Sequence, residues 1–161
     1  MRHSILRDGI VTGVLGATSV AIVFFIIDLV AGQPLGTPFL LAQGLLGLIH
    51  IEWTNRLLVV VIYTVFHYAA FIAVGCLAAA IIHWAERVPS VLAGAFLLFV
   101  VIELGFYLMT FILGQSPTYG GLSALQVAIG NLIAAAVMGT YLWRTHPALK
   151  TGLDHALSGR P

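Results

Sequence analysis

Four polar side chains stand out against long apolar runs: Asp28, His67, Glu103 and Asn131, one in each of four hydrophobic stretches. An ionisable group held in hydrocarbon costs about 2.5–3.5 kcal/mol on insertion scales, so it is normally turned toward protein and paired. A carboxylate near an imidazole can relay a proton, bind a cation or hold a quinone head group. The expected unit is His67 with Glu103, with Asn131 and Asp28 nearby; Tyr107, four residues after Glu103, shares its helix face. The competing structural reading makes these residues interhelical hydrogen bonds that fix packing, each contributing about 0.6–2 kcal/mol.

Three further histidines, His50, His83 and His146, are candidate ligand or partner contacts. Bis-histidine ligation of haem requires two imidazoles at one depth on facing helices, and no other stretch offers a histidine level with His67. His83 and His146 both fall at the inner ends of their stretches, where they can approach one another. The single cysteine, Cys76, cannot form an intrachain disulfide or a cysteine-based metal centre alone. The chain has no HExxH, no glycine-rich phosphate loop and no nucleophile elbow, so an enzyme of the soluble kind is not expected. No metal or other cofactor is predicted, with haem or quinone left as the chemically open options.

The elements that must position these groups follow from composition. Of 161 residues, 60% are hydrophobic and 8% charged, and mean hydropathy is +1.05; soluble domains carry about a quarter charged residues. At about 20 apolar residues per span, four transmembrane helices fill the chain. They are expected at about 9–31, 57–84, 91–113 and 122–143, bounded by Gly, Pro or charge. The fold class is therefore all-α: one integral membrane domain over residues 1–161, a four-helix bundle with a polar tail at 147–161. Between the first two spans, residues 38–54 form a short apolar segment with Gln43, Gly47, His50 and Thr54 along one stripe. Thr37 followed by Pro38 reads as its N-cap and first helical residue. At this length it suits an interfacial or re-entrant helix rather than a span.

Small residues should govern packing. Gly13, Ala17, Ala21, Phe24 and Asp28 fall on one face of the first helix, Tyr63, His67 and Ala70 align on the second, and Asn131, Ala135 and Gly139 on the fourth. A faint repeat places His67 eight residues before Gly75 and Asn131 eight before Gly139, suggesting two related hairpins. Arg2, Arg7, Arg87, Arg144, Lys150 and Arg160 gather on one side if both termini lie together, leaving Arg56 on the other. By the positive-inside rule the termini are expected in the cytoplasm. A net charge of +1 excludes a basic nucleic-acid-binding surface.

DLVAGQPLGTP at 28–38, HYAAFIAVG in the second stretch and GNLIAAAVMGTYLWRTHP in the fourth resemble small four-helix proteins of the bacterial inner membrane. That resemblance implies the bundle and its location but no activity. In size and helix count the chain also resembles small multidrug transporters. Those carry their essential Glu in the first helix, where this chain has only Asp28 near the outer end and its Glu in the third. The leading functional expectation is a non-catalytic accessory or assembly subunit of a larger bacterial membrane complex, respiratory or photosynthetic, because minimal loops and small-residue stripes supply packing surfaces without a reaction centre. The alternative is a small homo-oligomeric transporter or proton/ion channel using Asp28, His67, Glu103 and Asn131. A third reading is a membrane redox protein binding haem or quinone. The expected partners are the lipid bilayer and other membrane subunits, or further copies of the chain.

Overall fold

A computed structural model of the chain describes residues 5–48, 55–88, 90–92, 96, 100, 124–149 and 151. The third expected span, apart from Val91, Leu92, Phe96 and Val100, lies outside the described residues, and so do Glu103, Tyr107, His50 and most of the polar tail. Among the described residues the ordered structure is entirely helical. The helices are α1 (Ile5–Val30), α2 (Gly36–Leu48), α3 (Arg56–Ala85) and α4 (Ala124–Thr145). Three of them, α1, α3 and α4, are long and apolar enough to cross a membrane. α1 begins four residues earlier than its apolar run suggested, so Arg7 and Asp8 belong to its first turn.

α1 stops where the chain provides a left-handed residue. Gly32 has φ of 69°, and Gln33 donates its N–H to the Asp28 carbonyl while Gly32 donates to Leu29. This pair of bonds is a Schellman cap, which needs a positive φ that glycine adopts without penalty. The chain then reverses through a turn closed by Gly36 N–H to the Gln33 carbonyl, with Pro34 and Leu35 at its centre. Leu35 carries φ of 63°, the third position of a type II turn where glycine is usual. A left-handed leucine is strained.

α2 starts at Gly36, so Thr37 sits inside its first turn rather than capping it as expected. The cap comes from α1: Asp28 Oδ2 accepts the Thr37 N–H at 2.8 Å and Oδ1 accepts the Thr37 hydroxyl at 2.6 Å. The carboxylate thereby satisfies an orphan donor at the positive end of the helix. Ala42 and Leu46 of α2 are buried against Val59 of α3, with Phe39 and Tyr63 packed around them. α3 opens on Asn55, whose side chain accepts the Leu58 N–H at 3.2 Å, an ordinary N-cap.

α1 is the central helix. Gly9 meets Cys76, Gly13 meets Ile72, Ala17 meets His67 and Thr18 meets Tyr68, so α1 and α3 run antiparallel over most of their length. On the other flank Asp8 meets His146, Gly16 meets Met138 and Phe24 covers Gly130, which makes α1 antiparallel to α4 as well. α3 and α4 are therefore parallel to one another and hardly touch. The α1–α3 seam is closed backbone to backbone. A Cβ on Gly13 would lie closer than 3.0 Å to the main chain of Ile72, and one on Gly75 would meet the main chain of Gly9 and Gly13.

The face α4 turns to α1 differs from the expected one. Gly130, Ala134, Met138 and Leu142, at a spacing of four, are buried, whereas Ala135 is half-buried and Gly139 exposed with nothing near its α-carbon substituent position. The expected stripe through Asn131, Ala135 and Gly139 is thus rotated one residue away from α1. A similar shift affects the repeat. Gly75 is buried between two glycines while Gly139 is open, so the two positions play different parts in packing.

Candidate functional site

α1, α2 and the first half of α3 enclose a cavity of about 380 Å³. Ligand pockets typically begin at about 300 Å³. Its wall is chiefly apolar and aromatic, with Phe24 and Phe25 from α1, Pro38 and Leu41 from α2, and Tyr63 and Tyr68 from α3. Ile22, Phe25 and Leu35 on its lining are exposed, so it is open on the apolar side. Ala42 and Leu46 of α2 close on Val59 of α3 at one edge of the cavity, with Tyr63 packed beside them.

Asp28 and His67, two of the expected site residues, both line this cavity. Each is tied to a structural partner. Asp28 is 5% exposed and holds Thr37. His67 Nε2 lies 3.2 Å from the Ala17 carbonyl, which can only accept, so Nε2 carries a proton. Four residues earlier, one helical turn away, Tyr63 stacks on His67 with ring centroids 5.8 Å apart and 29° between planes. Phe71 and Tyr68 flank the imidazole at 4.8 and 5.9 Å. Thr18 and Tyr68 join hydroxyls across the α1–α3 seam at 3.0 Å. Asn131 is half-buried on α4 and does not line the cavity. Glu103 and Tyr107, the expected partners on the third span, lie outside the described residues, as does His50.

A second polar group forms at the opposite end of α1. His83 and His146 meet edge to face with centroids 5.9 Å apart and 87° between ring planes. Rings in direct contact leave no space between them for a macrocycle, so this arrangement does not form a haem sandwich. Asp8, absent from the expected site residues, is 3% exposed, and its Oδ2 lies 3.8 Å from His146 Nε2. His146 Nδ1 lies 3.0 Å from the Thr145 hydroxyl and 3.1 Å from the Leu142 carbonyl, so it finds its partners within the last turn of α4. His83 Nδ1 is buried without a hydrogen-bond partner among the described residues. No three potential metal ligands converge among the described residues.

Asp8 was missed because it sits next to Arg7 at the start of an apolar run, where a charged pair reads as a solvated flank. Its role emerges only from the antiparallel α1–α4 pairing. Tyr63 had a local signal, its spacing of four from His67, but its neighbours in space come from α2. Compared with known proteins, the chain matches no protein family, no curated protein and no solved structure.

Proposed function

We propose that the protein is a four-span protein of the bacterial inner membrane, with both termini in the cytoplasm, that serves as a non-catalytic accessory or assembly subunit of a larger respiratory or photosynthetic membrane complex. The observation that carries this reading is the use of the polar groups within the spans. Asp28 caps α2, His67 holds α1 through Ala17, and Thr18 with Tyr68 ties the same two helices together. Thr12, Thr64 and Thr140 return their hydroxyls to their own helices. The first set joins helices and the threonines are satisfied within theirs; among these described groups none forms a catalytic constellation.

The outward residues suit a subunit that packs within the bilayer. Val61, Val65, Phe66, Val74 and Leu77 leave more than half of the circumference of α3 apolar and exposed. Helix association in lipid depends on shape and small residues rather than on hydrophobicity. Native mass spectrometry of the tagged protein, released from its host membrane in mild detergent, tests the proposal. Unrelated membrane subunits should appear in the same peak at fixed stoichiometry. A homo-oligomer alone would overturn the accessory reading.

A further inference from the structure

The cavity between α1, α2 and α3 has a polar pattern that the fold itself does not use. Most polar side chains on its wall are occupied by protein partners: Thr18 by Tyr68, Thr64 by the Val60 carbonyl, and both oxygens of Asp28 by Thr37. Two atoms differ. The Tyr63 hydroxyl and His67 Nδ1 have no hydrogen-bond partner among the described residues, although both side chains line the cavity. They belong to stacked rings on successive turns of α3. Because Nε2 donates to Ala17, the neutral ring leaves Nδ1 as an acceptor. The phenol can donate or accept.

The complement of this pair is a hydroxyl group, which donates to Nδ1 and accepts from Tyr63. The remainder of the wall sets the rest of the ligand. Among the described residues no Lys or Arg lines the cavity, so none of them compensates an anion there. Asp28 already gives both oxygens to Thr37 at the α2 N-terminus, so they are engaged by the protein. Phe24 and Phe25, with the stacked Tyr63 and His67, offer flat apolar surfaces. The exposed Ile22, Phe25 and Leu35 give an entrance that hydrocarbon can reach.

We propose that this cavity binds a neutral phenolic amphiphile, such as a phenol or quinol head group, drawn from the bilayer and read through its hydroxyl by Tyr63 and His67. The inference goes beyond the accessory role and is independent of which subunits surround the protein. Binding alone is proposed, with no electron transfer.

The test uses the full chain in phosphatidylcholine nanodiscs and two probes of equal shape: 2,3,5-trimethylphenol and 1,2,3,5-tetramethylbenzene, which replaces the hydroxyl with a methyl group. Isothermal titration should show the phenol bound at least about fivefold more tightly, the order expected of one neutral hydrogen bond. Tyr63→Phe and His67→Phe should each bring the ratio toward one while leaving affinity for the hydrocarbon within about twofold. The unchanged hydrocarbon affinity then reports that the variants are folded. Ala21→Trp, which fills the cavity, should abolish binding of both probes. Equal affinity for the two probes in the native protein overturns the proposal. So does a phenol preference that survives both ring substitutions, or probe binding that survives Ala21→Trp.

Discussion

Asp28 engages one residue with both of its carboxylate oxygens, Oδ2 accepting the Thr37 N–H and Oδ1 the Thr37 hydroxyl. Its position in an apolar run marked it as a buried ionisable group, and Thr37 separately carried a helix-start signal. Their connection was not legible, because the carboxylate and the threonine are nine residues apart and meet only after the chain has reversed. That reversal combines the left-handed Gly32 with the strained Leu35. The Gly and Pro of this stretch marked the end of the first span, but neither announced that a leucine would occupy a position normally given to glycine. The cap predicts a graded response. Asp28→Ala leaves the Thr37 N–H and hydroxyl without their acceptor and should lower stability by about 1–3 kcal/mol. Asp28→Asn keeps the shape and can retain both bonds, with the amide donating to the threonine oxygen. It should recover at least half of the loss. Unfolding in mixed micelles with rising dodecyl sulfate measures both, and identical midpoints for the two variants would remove the capping role.

At the scale of the helices, hydropathy located three long spans to within a few residues at most ends, since a 26-residue and a 30-residue apolar run admit little else. The contact faces were harder to read. Gly13 and Ala17 do meet α3, at Ile72 and His67, but Ala21 is exposed and α4 presents Gly130 and Ala134 rather than Asn131 and Ala135. In a helix apolar on all sides, periodicity carries almost no signal about which face meets a neighbour. A one-residue error rotates the face by about 100°. The glycines separate the two situations by experiment. Gly13→Leu and Gly75→Leu push a side chain into opposing backbone, which cannot yield as a flexible side chain would, and each should cost several kcal/mol or prevent α1 from seating on α3. Gly139→Ala meets empty space and should be neutral or stabilising by up to about 1 kcal/mol. Disulfide trapping between cysteines placed at positions 17 and 67 reads the seating directly. Efficient trapping in the Gly13→Leu variant would mean that the seam tolerates more separation than the close backbone approach implies.

For the whole molecule, the helix directions turn a sequence tally into geometry. With α1 antiparallel to both α3 and α4, Arg7, Arg87 and Arg144 come to one end of the bundle and Arg56 to the other, all four of them exposed. The end with three arginines also carries the Asp8, His83 and His146 group, whereas the single-arginine end carries the turn before α2 and lies nearer the cavity. α3 has 30 residues, a length of about 45 Å at 1.5 Å per residue. A hydrocarbon core of about 30 Å is shorter than this, so a spanning α3 has length enough to carry both of its ends into headgroups or water even when it tilts. Residues 56 and 87 are consequently good reporters of opposite sides. In a Cys76→Ala background, Arg56→Cys should react with a membrane-impermeant maleimide in intact spheroplasts, and Arg87→Cys only after permeabilisation. The reverse pattern would put the three-arginine end outside, against the charge rule, and would place the opening of the cavity in the cytoplasmic half of the bilayer. The expected pattern places it in the outer half, so that a ligand entering past Ile22 and Phe25 comes from the outer leaflet.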